Sequence, residues 1–286
     1  MDMLTLTDLR KSVRNFTDKP IDENKLQEIT DYFKKCRRID KSIKTEIMII
    51  KKSGLPKDIK EIGGYNGFLI EAPYYILIFS EKKPYFIENV GYIGEDILLK
   101  LTDMDIDSCW MTLKEEKVVE EGDKMRITGL IALGYGERIK KISKLKNMFI
   151  SKYGNGDLEA PKPGTDNEIR MDILDMVFMG DYGKTASYDE LTATGLSEGF
   201  YAARRAPSAL NRQPWRFILD GGTVALVIKK DEYTNIYEAQ IAAGAAMLNF
   251  AVVISERIFD VKWEMGAADF KYNIPDDSFI IAHCRV

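Results

Sequence analysis

Apolar residues along this chain recur in two rhythms. Leu6 and Leu9 sit at helical spacing within residues 5–14, with Thr5 or Thr7 placed to cap the first turn. After Pro20, the residues Leu26, Ile29, Tyr32 and Phe33 mark one face of a helix over about residues 22–35. Residues 47–50 read as a short strand. Residues 74–79 form an unbroken apolar run behind Ala72-Pro73, the pattern of a strand covered on both faces. Ile93, Ile97, Leu98 and Leu101 predict a helix over residues 89–103. Residues 108–112 read as a short exit segment, and residues 129–135 as a second buried strand that stops at glycines.

The second half repeats this order. A helix over residues 188–204 precedes a strand at 215–219, a turn at Asp220-Gly221-Gly222 and a strand at 224–228. A long helix over 237–255 follows, then Trp263-Glu264-Met265 and a strand at 279–284. Each half has a helix with a glycine near its start (Gly94, Gly244), a tryptophan after it (Trp110, Trp263) and a closing strand. This recurrence predicts an internal duplication, with halves at 1–165 and 166–286 packed as one globular unit. The alternative is the plain alternation of helices and strands that any α+β chain shows. Between the halves, Lys140, Lys141, Lys144, Lys146, Gly154-Asn155-Gly156 and Pro161-Lys162-Pro163-Gly164 read as a long, solvated basic connection.

Composition narrows the function classes. The chain has 286 residues, 45% hydrophobic and 30% charged, as expected of a globular protein. A net charge of -4 and a sequence pI of about 5.4 argue against a general nucleic-acid binder. Cys36, Cys109 and Cys284 lie far apart with no C-x-x-C, so no metal or redox pair is expected, and a reducing, cytoplasmic setting suits them. Residues 1–10 lack the apolar core of a signal peptide. Residues 239–255 are rich in Ala and Gly, but Gln240 and Asn249 interrupt them, so a buried helix is expected in place of a membrane span. The sole histidine, His283, reads as a strand-end residue, with a general base as the alternative.

Two segments carry candidate chemistry. In Arg10-Lys11-Ser12-Val13-Arg14-Asn15-Phe16, the residues Arg10, Ser12 and Arg14 fall on one side if the chain extends after Lys11. Two guanidiniums flanking a hydroxyl can clamp a phosphate, although surface arginines on an amphipathic segment would look the same. In Ala206-Pro207-Ser208-Ala209-Leu210-Asn211-Arg212-Gln213-Pro214-Trp215, Pro207 stops a helix, small residues admit a flat ring, and Asn211 and Gln213 offer donors and acceptors. A capped turn between a helix and a strand is the other reading.

Together, Arg10-x-Ser12-x-Arg14-x-Phe16 and Ala206-Pro207-Ser208-Ala209-x-Asn211-x-Gln213-Pro214-Trp215 resemble the FMN-dependent nitroreductase family, in particular its fused, duplicated branch. Ala72–Leu77, Asp107–Met111, Ala132–Gly136 and Arg170–Val177 extend the resemblance over most of the chain. It implies an α+β fold of two tandem half-repeats forming an intrachain pseudo-dimer, with mixed central sheets flanked by helices. It also implies one FMN per chain at the junction of the halves, with NAD(P)H as co-substrate and a nitroaromatic or quinone as acceptor. Carried over, Arg10, Lys11, Ser12, Arg14 and Arg170 hold the phosphate and ribityl oxygens, and Pro207, Ser208, Ala209, Asn211 and Gln213 come from the second half. Met111, Thr112 and Leu113 would lie by the ring, where the family usually has glycines or an acidic-glycine pair. No side chain is needed as a catalytic acid or base. The expected partners are small molecules, with no nucleic acid and no membrane, and the expected state is a monomer. A flavin-binding protein for storage or sensing is the alternative function.

Overall fold

A computed structural model describes residues 1–57, 59, 63–64, 69–113, 117–118, 125–137, 170–267 and 270–286. The basic connection at 138–164 lies outside the described residues.

Two sheets form the frame. The first is built from β1 (Thr45–Lys51), β2 (Gly63–Gly64), β3 (Tyr74–Glu81), β4 (Asp107–Leu113), β5 (Lys117–Val118) and β6 (Met125–Gly134). Its order is β1-β3-β6-β4-β2, with β5 also pairing β6 and every pairing antiparallel. The second contains β7 (Val177–Met179), β8 (Trp215–Asp220), β9 (Thr223–Lys229), β10 (Glu264–Met265) and β11 (Ser278–Arg285), in the order β10-β11-β9-β8-β7. Only the β7–β8 pairing is parallel.

The runs β1-β3-β6-β4 and β8-β9-β11-β10 share one strand order. In each, the second and fourth strands are both antiparallel to the third, so they run parallel to each other and need a crossover. Helix α3 (Phe86–Asp103) makes it in the first sheet and helix α6 (Ile236–Arg257) in the second. These two helices are buried along most of their length and cross at glycines. A Cβ on Gly91 would stand 2.2 Å from the Ile241 carbonyl oxygen, and one on Gly244 would stand 2.1 Å from that of Glu88.

Smaller helices complete the layers: α1 (Met3–Leu9), α2 (Glu23–Phe33), α4 (Tyr188–Ala193) and α5 (Ser197–Arg204). Asp2 caps α1 by accepting from the Thr5 N–H at 2.8 Å, so the cap precedes the threonines that the sequence suggested. One helix expected over 188–204 is two, because Gly195 takes a left-handed φ of 74° and ends α4. Residues 108–112, expected as a short exit segment, lie within β4 beside β6 in the first sheet. By length and apolar composition α6 could cross a membrane, yet 83% of its most apolar window is buried in the fold, packed against α3 and α5. The buried rings of Phe200, Phe217, Phe250 and Trp263 gather around α6, with centroids 5.1–6.1 Å apart. Each such ring contributes about 1.5–3 kcal/mol of burial energy, which fixes α6 against the second sheet.

Candidate functional site

The N-terminal segment changes character after α1. The Arg10 N–H donates to the Leu6 carbonyl and closes the helix at 3.0 Å. The chain then extends: Ser12 bridges Ser108 at the start of β4, the Val13 N–H donates to the Ser108 carbonyl at 2.9 Å, and the Thr17 N–H donates to the Tyr135 carbonyl at 2.8 Å. The segment is thereby laid across the ends of β4 and β6. Ser12 and Arg14 line a cavity, while Lys11 points to solvent. Arg10 turns inward, its side chain 4% exposed, with Nε 3.5 Å from Oε1 of the wholly buried Glu95. Arg10 also donates through Nη2 to the Arg205 carbonyl at 3.3 Å.

The second segment is backbone-strained. Leu210, Asn211 and Gln213 all have left-handed φ values, 49°, 55° and 49°. Such positions cost non-glycine residues of order 1 kcal/mol each and persist only where surroundings enforce them. Here the surroundings are hydrogen bonds. Ser208 Oγ accepts from the Gln213 N–H at 2.9 Å, and Gln213 Oε1 accepts from the Met171 N–H at 2.9 Å. Arg170 donates through Nη1 to the carbonyls of Ala206 (2.8 Å) and Arg204 (3.3 Å), satisfying the end of α5. Arg205 pairs with Asp8, which ties α5 to α1 and brings the two segments together.

The cavity between them holds about 590 Å³, including space open to solvent. Ser12, Arg14, Thr112, Pro207, Ser208 and Ala209 line it, together with Gly91, Cys109, Trp110, Tyr237, Glu238, Ile241, Ala242 and Ala245. Of the sequence-predicted residues, Arg10, Arg170 and Gln213 stand behind this wall, holding Ser12 and the 206–213 segment. Asn211 turns the segment just beyond Ala209. Met111 and Leu113 are buried in the apolar cluster with Leu77 and Leu130, and Thr112 faces the cavity. The reason is strand alternation, which sends every second residue to the opposite face.

Sequence reasoning missed the contribution of α6. Tyr237, Ile241 and Ala245 recur every four residues and Ala242 sits beside them, a helical stripe whose small members leave room. The Tyr237 hydroxyl donates to the Thr128 carbonyl, and Glu238 closes a capping box with Asn235 at the start of α6. His283 lies 3.5 Å from Glu264 and 3.3 Å from the Gly266 carbonyl, away from the cavity lining.

The family model described as "Putative TM nitroreductase" matches residues 2–177. The chain belongs to this nitroreductase family. Among solved structures, a "putative nitroreductase" from Thermotoga maritima is 18% identical, covers 100% of this chain and 94% of its own, and superposes with a TM-score of 0.58. That likeness establishes a shared nitroreductase-like α+β fold over the whole chain. A nitroreductase family protein from Clostridium novyi is 19% identical, spanning 48% of this chain and 87% of its own, with a TM-score of 0.41. A nitroreductase with bound FMN from Bacteroides fragilis is 16% identical, spanning 51% and 97%, with a TM-score of 0.40. None of the curated proteins compared matches the chain.

Proposed function

We propose that this nitroreductase-family chain is an FMN-containing oxidoreductase that carries hydride from NAD(P)H through flavin N5 to a nitroaromatic, a quinone or a related acceptor. The observation that supports it is the shared cavity: Ser12 and Arg14 from the front of the chain meet Pro207, Ser208 and Ala209 from the back. The residues present suit the cofactor. Arginines 10, 14 and 170 with the Ser12 hydroxyl make a cationic end for a phosphate. Gly91, Ala209, Ala242 and Ala245 keep the opposite walls low, so that a flat ring can approach them.

The bound flavin would supply the redox chemistry, and the protein would supply position and electrostatics. Ser12 and Arg14 would hold the phosphate and ribityl oxygens directly. Arg10 and Arg170 would add charge from behind the wall. Pro207, Ser208, Ala209 and Asn211 would border the ring, with Gln213 fastening that segment to Met171. Thr112 would replace the family's usual glycine near N5, and Trp110 would exclude water on one side. No side chain is assigned a proton-transfer role, because water can protonate the product.

We further propose that the halves, 1–165 and 166–286, arose by duplication and that the chain works as a monomer with one flavin. The repeated strand order and the reciprocal glycine contacts between α3 and α6 support this.

The test is an absorbance spectrum of the purified protein before and after NADPH is added without oxygen. Flavin bands that bleach on addition are expected. Colourless protein that takes up no added FMN overturns the reading, and flavin that binds yet stays oxidised moves it to storage or sensing. Arg14→Glu should release the flavin with the fold intact, since Arg14 is only half-buried.

A further inference from the structure

Behind the phosphate end of the cavity lies a carboxylate that the proposed chemistry does not use. Glu95, on the inner side of α3, has a fully buried side chain, and Arg10 Nε stands 3.5 Å from its Oε1. The groups facing it are Arg10 from the end of α1, Arg170 from the chain leading into β7, Asn249 from α6, and Asp96, its neighbour on α3. Neither Glu95 oxygen meets a hydrogen-bond donor at normal geometry, although the Asn249 amide lies close. Arg10 in turn reaches Ser12 Oγ at 3.5 Å, and Arg170 reaches the Ala206 carbonyl at 2.8 Å. One buried acid therefore stands behind both segments that border the cavity.

A buried arginine needs a counter-charge, because an isolated ion in a poorly polarisable interior is costly. Arg10 has Glu95 as that counter-charge, and Ser12 and Arg14 in front of it face the cavity, where an anion can approach. That second anion then competes with Glu95 for the Arg10 guanidinium and repels it. Glu95 lacks the hydrogen bonds that would hold it in the ionised form, so protonation relieves the conflict.

We propose that Glu95 is the resident counter-ion of the phosphate site, a positioning residue that holds Arg10 while the site is free and takes up a solvent proton when a phosphate monoester binds. This rests on the flavin reading of the cavity. The direction of its acid shift agrees: burial raises the Glu95 carboxyl to about 7, against the opposing pull of Arg10. An added phosphate dianion raises it further, so binding and proton uptake are coupled around and above neutral pH.

The test is calorimetric titration of the apoprotein with FMN and, separately, with riboflavin, which lacks the phosphate. Each is run at pH 8 in two buffers of different ionisation enthalpy. A phosphate monoester is already doubly ionised there, its second pKa being about 6, so protons taken up must enter the protein. Net uptake is expected with FMN and none with riboflavin. Glu95→Gln should abolish the uptake. The ratio of wild-type to variant FMN Kd should rise about tenfold between pH 6.5 and 8.5. Glu95→Asp, which keeps the charge, should retain the uptake and guards against a Gln variant that fails to fold. Zero uptake by the wild type at pH 8, or equal uptake by wild type and Glu95→Gln, overturns the proposal while leaving the flavin site standing. Protein that binds neither FMN nor riboflavin overturns the flavin reading and this one with it.

Discussion

The sheets on the two sides of the α3–α6 crossing share one strand order among the described residues, and the cavity lined by Ser12 and Ala209 opens on one side. Counting 153 residues along the chain relates Gly91 to Gly244 and Trp110 to Trp263. It also relates Glu88 to Ile241, and these are the residues whose carbonyls the opposite glycines approach. The same count pairs Ala242 with Asn89 and Ala245 with Tyr92. Ala242 and Ala245 line the cavity. Their counterparts are larger and packed: Tyr92 is buried, and Asn89 Oδ1 accepts from the Ile39 N–H at 2.9 Å and the Asp40 N–H at 3.2 Å. Trp110 is half-buried at the cavity wall, whereas Trp263 is 8% exposed and donates its Nε1–H to the Met247 carbonyl at 3.0 Å. At these two positions of one helix face, small side chains border the cavity on one helix and larger ones are packed on the other.

The largest effect should come from moving one of those side chains across. Ala245→Tyr places the bulk of Tyr92 in the open cavity. Flavin retention should fall by at least about 100-fold, the equivalent of about 2.7 kcal/mol, with circular dichroism unchanged. A variant that binds FMN as the wild type does would break the comparison. The converse, Tyr92→Ala, empties a packed site and should cost about 3–5 kcal/mol in denaturant unfolding. It should also create an apolar hole that takes up a small aromatic such as indole, detectable by calorimetry, which the wild type lacks.

Charge separates the two sides as well. The residue 153 positions after Glu95 is Leu248, buried and uncharged. At this position, therefore, a titrating interior group stands on the cavity side alone. The Glu95 carboxyl sits at about 7 in the folded chain, above its ordinary value of 4.5, because burial disfavours the anion. Between those values the folded state binds more protons than the unfolded one. Stability from this group is thus complete below about pH 4.5 and is lost as pH climbs towards 7. The loss should be of order 3 kcal/mol, and Glu95→Gln should flatten that part of a pH series of urea midpoints. Parallel slopes in wild type and variant would show that other groups dominate.

What was legible in the sequence follows the same division. The apolar runs at 74–79 and 129–135 and the helical stripes of α3 and α6 announced the frame, because periodic burial leaves a periodic pattern. Ser12, Arg14 and the 207–209 stretch stood out as candidate chemistry, and the fold brings them to one cavity. The alanines of α6 gave no signal, since an alanine on a helix reads as packing whether it faces a core or a cavity. Arg10 and Arg14 are indistinguishable as residues, and only the turn after α1 sends one inward to Glu95 and the other to the wall. Strand alternation was visible in principle at Met111-Thr112-Leu113. It was missed because Asp107–Leu113 lacks the long apolar run that marks β3.

The smallest effects should test whether the crossing itself is symmetric. Gly91→Ala and Gly244→Ala each drive a methyl group into the backbone of the facing helix, at 2.2 Å and 2.1 Å. Overpacking of this kind costs about 1–3 kcal/mol, and the two variants should agree within about 1 kcal/mol in urea unfolding. Gly94→Ala should differ from both. A Cβ there would lie 1.9 Å from Trp110 Cζ3, and the partner it meets is a side chain, free to shift into the cavity. The position 153 residues on is Met247, where the crowded group is the Trp263 indole held to a carbonyl. Gly94→Ala should therefore cost less stability than Gly91→Ala while weakening flavin binding more, read as a smaller drop in urea midpoint beside a larger rise in FMN Kd. Equal changes in both quantities for the two variants would mean that Trp110 packs as core on its side of the crossing, as Trp263 does on the other.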